Sequence, residues 1–272
     1  MEGRKNVIWE NDLGQKLIFD NVKFYVESID MTGNSCTHTT SSLADADGQA
    51  TTGHRLEPKT IPCSFALFDD VDDDYVQRLL TQCFFPKIHG RLTVRTETSV
   101  YTIDCYPQNE PVFKKDPDLP IFRWDVDFVA DYPYWNKGVE HSVSLNSNYT
   151  VIDSRCVYDI PVKIRFPAEI GQSTVKVESR RKPTDAWTTE VDAFTVKGSL
   201  NGVTRDFALT IDTRTLKITD DSGNNVNQWV DVTAAIDKVV IKYGQTGFLC
   251  TISNTATERP VMTYYELSQG EA

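Results

Sequence analysis

Between Phe122 and Asp131 the chain alternates too regularly for any backbone but an extended one. Phe122, Trp124, Val126, Phe128 and Ala130 fall on one parity, and Arg123, Asp125, Asp127 and Asp131 on the other. A strand sends successive side chains to opposite faces, whereas a helix would scatter this set around its circumference. Such a strand rests one face on a core and turns its charged back to water or to a partner.

The same period recurs through the first half. Ile61, Cys63, Phe65 and Leu67 alternate with Pro62, Ser64 and Ala66. Leu92 and Val94 lead through Thr96-Glu97-Thr98-Ser99 into Tyr101, Ile103 and Cys105, which predicts a hairpin. One stretch changes period: Tyr75, Val76, Leu79, Leu80 and Cys83 recur at helical spacing, and Pro86 closes the segment. Asp69, Asp70, Asp72, Asp73 and Asp74 stand at its beginning, where carboxylates offset the positive end of the helix dipole and cap free N–H groups. A calcium loop counted from Asp70 would need Gly and Glu where the chain has Tyr75 and Thr81, so this run reads as a helix start.

The strand pattern breaks at Asp131-Tyr132-Pro133-Tyr134-Trp135-Asn136-Lys137-Gly138, which places a first domain over 1–138 and a second over 139–272. In the second, Val162, Ile164 and Phe166 alternate, then Val175 with Val177, then Phe207, Leu209 and Ile211. Leu216 and Ile218 lead into the turn Asp220-Asp221-Ser222-Gly223-Asn224-Asn225. Val239 with Ile241, Leu249 with Thr251 and Val261 to Leu267 follow. The fold class expected is mainly β: a sandwich-like first domain with one α-helix, then an antiparallel β-sandwich. Tyr132, Tyr134 and Trp135 have two readings, an aromatic plug between the domains or a platform for stacking sugar rings.

A polar segment over 31–58 interrupts the first domain, with Thr32-Gly33-Asn34-Ser35, Thr39-Thr40-Ser41-Ser42 and the run Asp45 to Gly53. So long a connection is unusual in a compact domain. It reads either as a mobile surface loop or as an arm that orders only against a neighbouring subunit, pairing its backbone with another sheet. In the second case Asn34, His38, Gln49, His54 and Arg55 are the candidate interface residues.

Chemistry is sparse. Four histidines are spread along the chain without ligand spacing, and Cys36-Thr37-His38 makes no closed zinc site. Neither a nucleophile elbow nor a phosphate-binding glycine loop is present. Asp125 and Asp127 share a strand face as in any polar alternation, so they do not argue for a glycosidase. The reading is of a protein without catalysis, cofactor or metal. The six cysteines are scattered, and Cys63, Cys83 and Cys105 fall on apolar faces, so all are expected as thiols. No apolar run is long enough for a membrane span, and the expected site of folding is a cytoplasm. A net charge of −11 argues against binding nucleic acid. Arg180-Arg181-Lys182 before Pro183 is the nearest approach to a basic patch, and reads as a solvated turn.

Several segments, taken in order, resemble the distal tail proteins of siphophages, the siphovirus tail component family. The opening Gln15-Lys16-Leu17-Ile18-Phe19 leading into Phe24-Tyr25-Val26-Glu27-Ser28-Ile29 is similar to theirs. So is Gly53-His54-Arg55-Leu56-Glu57-Pro58-Lys59-Thr60-Ile61 ahead of a strand and the single helix, and so is Phe122 to Trp135. Phe207-Ala208-Leu209-Thr210-Ile211-Asp212-Thr213, the Asp220 to Asn225 turn and the strand toward Gly244 resemble the family's galectin-like domain. The resemblance implies a structural virion protein, assembled in a host bacterial cytoplasm and located in the tail. Six copies of the first domain would close a homohexameric ring at the tip of a long non-contractile tail, between the tail tube protein and tail-tip or tail-associated proteins. The galectin-like domain would face receptor-binding or side-fibre proteins. An acidic surface would suit a channel through which DNA slides without sticking. The other reading is a carbohydrate-binding module or adhesin, with Tyr132, Tyr134, Trp135 or Trp187 on the sugar.

Overall fold

The computed structural model describes residues 6–42, 49–68, 72–115, 121–170, 174–182, 187–188, 191–231, 236–253 and 258–268. The chain is mainly β and antiparallel, and divides into two compact units, Met1–Gly138 with Ser268–Ala272, and Val139–Leu267. No helix among the described residues is long and apolar enough to cross a membrane. All six cysteines are free.

In the first unit, β1 (Asn6–Asn11) lies between β2 (Lys16–Phe19) and β7 (Gly90–Arg95), and β7 pairs in turn with β8 (Val100–Pro107). The expected hairpin is β7–β8, closed by the Thr96 N–H on the Ser99 carbonyl at 2.9 Å. A second set is built on β6 (Lys59–Phe68), flanked by β3 (Phe24–Ile29) and by β10 (Ile121–Ala130), with β9 (Val112–Lys115) beyond β10. β6 and β10 run opposite each other over their whole length, Lys59 to Phe68 against Ala130 to Ile121. Their apolar parities therefore point the same way, and Ile61, Phe65, Trp124 and Phe128 are all fully buried.

Aromatic rings knit these strands into one core. Phe19 on β2 stacks on Phe65 at 4.1 Å between centroids, and Trp9 on β1 meets Phe128 at 4.8 Å. The α-helix α1 (Asp73–Cys83) covers this core with Val76, Leu80 and Cys83. The Asp72 carboxylate accepts the Asp74 N–H at 3.1 Å, so the acidic run does cap the helix, while Asp69 and Asp70 lie outside the described residues. Phe84 ends it by donating its N–H to the Leu80 carbonyl, ahead of Pro86. The Trp9 indole spends its N–H on the Cys83 carbonyl at 2.9 Å, which satisfies a buried donor and the helix end together. β11 (Trp135–Ser144) begins in this unit, with Asn136 and Lys137 opposite Thr102 and Tyr101.

In the second unit, Lys163–Phe166, Leu209–Asp212, Lys217–Asp220 and Val261–Ser268 form one sheet. Thr150–Ser154, Gly244–Ile252, Val175–Lys182, Asp192–Val196 and Val230–Asp231, in that order, form another. The two face each other, with Phe166 of the first meeting Phe194 of the second edge to face at 6.1 Å. Asp220 closes its turn by accepting from the Ser222 N–H, the Asn224 N–H and the Asn224 side chain. Arg205 is buried to 1% exposure and donates to the carbonyls of Phe207 and Pro167.

Three sequence expectations for this unit need correction. Arg180, Arg181 and Lys182 are not a turn: the strand continues through them, opposite Gly247, Thr246 and Gln245. Leu216 is an exposed turn residue at φ +56°, and its strand starts at Lys217. In Gly244–Ile252 the buried parity is Thr246, Phe248 and Cys250, one residue out of phase with the Leu249 and Thr251 pattern.

Candidate functional site: the arm and its root

Most of the described residues of the polar segment form strands. Its two halves pair with each other as β4 (Cys36–Ser42) and β5 (Gln49–Leu56), a two-stranded sheet paired with no other strand among the described residues. The loop reading is therefore replaced by a hairpin. A register shift between Thr39 and Thr40 marks a bulge, which bends and twists such a ribbon. Cys36, Thr37, His38 and Thr39 are all exposed. In sequence both strands are polar and rich in threonine, so cross-strand pairing carries the hairpin.

The register brings His38 opposite His54, Thr37 opposite Arg55 and Ser42 opposite Gln49. Three of the five expected interface residues thus lie on β5, while the side chains of Gln49, His54 and Arg55 fall outside what the structure describes. Asn34 stands at the hairpin's root, half-buried, with its Oδ1 accepting from Lys59.

That root is built around Lys59, which is 2% exposed. Its ammonium donates to the Gly33 carbonyl at 2.9 Å and to Asn34 Oδ1 at 3.2 Å. Burial pushes its pKa below the ordinary lysine value, and the nearby Asp30 carboxylate opposes part of that shift. Asp30 in turn accepts the Thr32 N–H and hydroxyl at 2.9 and 2.8 Å, fixing the bend that leads to the arm. The Glu57 N–H on the Ser35 carbonyl at 2.9 Å ties the two strands where they leave the body. Lys59 lies on the same parity as Ile61, Cys63, Phe65 and Leu67, so the strand pattern could have flagged it as inward-facing.

The aromatic cluster divides. Trp135 is fully buried in the core of the first unit and donates its indole N–H to the Met31 carbonyl at 3.3 Å. Enclosed on its faces, it offers no platform for a sugar, which corrects that expectation. Tyr132 and Tyr134 are half-buried and meet edge to face at 5.2 Å.

Among the described residues no group of three or more His, Cys, Asp or Glu could hold a metal ion. Asp125 is paired with Lys114 across the strands, and that hydrogen bond holds its carboxyl below the usual range, the opposite of a glycosidase's proton donor. The second unit has an open cleft of about 520 Å³ lined by Arg165, Pro167, Ala168, Ala208, Asp221, Glu258, Arg259 and Val261. These side chains include no serine, cysteine or histidine, and Arg165 is paired with Asp221 at 3.0 Å.

Two sandwiches in tandem, the first closed by one helix and interrupted by a hairpin at a buried lysine, make a specific architecture to compare. The Dit protein (gp 19.1) of phage SPP1, described as a paradigm of the hub adsorption apparatus in phages infecting Gram-positive bacteria, superposes with a TM-score of 0.65. The match covers 97% of this chain and 99% of that one, at 12% identity. The chain has the fold of the SPP1 Dit protein. A chain of the phage P2 baseplate in its activated conformation with Ca matches at a TM-score of 0.56 and 11% identity, over 97% of this chain and 99% of that one. The corresponding structure with Sr matches at 0.52 and 10%, over 96% and 98%. No family model matches the sequence, and no curated protein matches it.

Proposed function

We propose that this chain is a distal tail protein of a siphophage, a structural component of the virion tail without catalytic activity. The observation that carries the proposal is the end-to-end likeness to the SPP1 Dit fold, which takes in both units and leaves almost nothing of either chain unmatched. Local likeness of one sandwich would mean little, because sandwiches serve many purposes. In this reading six copies of the first unit close a ring that joins the tail tube to tail-tip proteins. The hairpin of β4 and β5 reaches the next copy, with His38, Gln49, His54 and Arg55 at the contact and Asn34 holding its root. A hairpin already paired with itself suits this task, since contact then costs no ordering of a disordered segment. The second unit, read as galectin-like, faces outward toward receptor-binding or side-fibre proteins.

The test is the mass of the purified native protein by light scattering behind a sizing column. The ring predicts six times the 30.8 kDa chain. A monomer that stays monomeric at every concentration overturns ring closure as a property of this chain.

A further inference from the structure

The five-stranded sheet of the second unit turns Val175, Val177, Phe194, Val196, Phe248 and Cys250 inward, all of them buried. Its other face carries the opposite parity. There the register sets Val151 and Arg180 on either side of Gly247, with Lys182 beside Gln245 one step along. Gly247 leaves a gap in this face, and Trp187 fills it. A Cβ on Gly247 would stand 2.5 and 2.8 Å from indole carbons of Trp187 and 2.9 Å from the Tyr149 ring. Only glycine lets an indole lie this close to a strand backbone.

Trp187 and Tyr149 are stacked, with centroids 4.9 Å apart and planes within 19°. The Lys182 ammonium stands 5.8 Å from the indole centroid. Trp9, Trp124, Trp135 and Trp229 are buried, whereas Trp187 is half-buried. Arg180, the cross-strand neighbour of Gly247, has a shielded Nε with no hydrogen-bond partner.

The aromatic plate of Trp187 and Tyr149 stands here beside two cations, with Asp153 across Gln245 from Lys182, on a chain of net charge −11. Apolar ring faces of sugars stack on such plates, and guanidinium and ammonium groups pair with carboxylates or phosphates. We propose that this face of the second unit binds an acidic saccharide, its ring against Trp187 and Tyr149 and its anionic group on Arg180 and Lys182. The inference rests on the second unit alone, so its failure leaves the ring reading untouched.

The experiment titrates the full-length protein with polygalacturonate, phosphomannan and neutral mannan, reading tryptophan fluorescence and calorimetric heat. Binding of the first alone identifies a carboxylate as the anionic group, and of the second alone a phosphate. Replacing both cations, Arg180→Gln with Lys182→Gln, weakens that binding by about tenfold or more, the loss of charge-assisted hydrogen bonds, with the melting temperature unchanged. Trp187→Phe, which keeps a smaller ring over Gly247, weakens binding and removes the fluorescence change. Three results overturn the proposal: neither acidic polymer binds, neutral mannan binds as tightly as they do, or the double substitution leaves the affinity unaltered.

Discussion

Lys59→Met should detach the arm from the body while leaving the body folded. Methionine keeps the aliphatic stem inside the first unit and removes the two bonds to Gly33 and Asn34. A hydrogen bond from a charged donor contributes about 1.5–3 kcal/mol. The desolvation that lowers the Lys59 pKa takes back part of this. The net loss expected at the root is therefore about 1–2 kcal/mol, a factor of about 5–30 in the local opening equilibrium. Hydrogen exchange reads that factor directly at the Glu57 amide, whose N–H bonds the Ser35 carbonyl. Amides along the β6–β10 ladder serve as the control, since Met fills the same space beneath them and their opening follows the body. If Glu57 exchanges at the wild-type rate, or if the ladder loses as much protection as the root, the anchoring role of Lys59 is wrong. In the ring reading the same variant also loses hexamer on dilution before its melting temperature moves.

Gly90→Ala should destabilise the first unit by about 2–3 kcal/mol, because the added Cβ meets Glu10 O at 2.4 Å and Asn11 Cα at 2.7 Å, backbone atoms that cannot step aside. A urea melt followed by the buried tryptophans checks this, and an unchanged midpoint refutes it. Asp72→Ala removes the helix cap and should cost about 1 kcal/mol, whereas Asp72→Asn should be close to neutral. Equal losses in both variants would mean that charge, not capping, is what Asp72 supplies. Burial pushes the Cys250 thiol from 9.0 up to about 11, with Arg259 opposing. The unfolded chain then loses this proton first, so stability should fall as pH rises from 9 toward 11, and Cys250→Ala should flatten that decline. An identical slope in the variant would contradict this.

Local pattern determined a large part of this molecule. Period-two apolarity set β6, β7, β8 and β10, because a strand with one buried face must alternate. Helical spacing with an aspartate ahead of it set α1 and its cap. The free thiols were also legible, since they depend on residue types and spacings along the chain.

What escaped the sequence has a common cause. The β4–β5 hairpin has no apolar alternation in sequence, so its strands are invisible to a hydrophobic period and show only in their cross-strand pairing. Lys59 was in phase with its buried neighbours, yet a lysine goes inside only if acceptors await it, and Gly33 and Asn34 are brought to it by the bend at Asp30. Arg180 to Lys182 looked like a turn because charge clusters usually do, but Gly244–Ile252 supplies a strand to pair with them. Trp135 could be a buried plug or a sugar platform until the first unit's core enclosed it. Trp187 shows the limit most plainly: its place depends on a missing side chain at Gly247, sixty residues on. Alternation is a property of neighbours in the chain, and burial of a charge or exposure of a ring is decided by residues the chain brings back from far away.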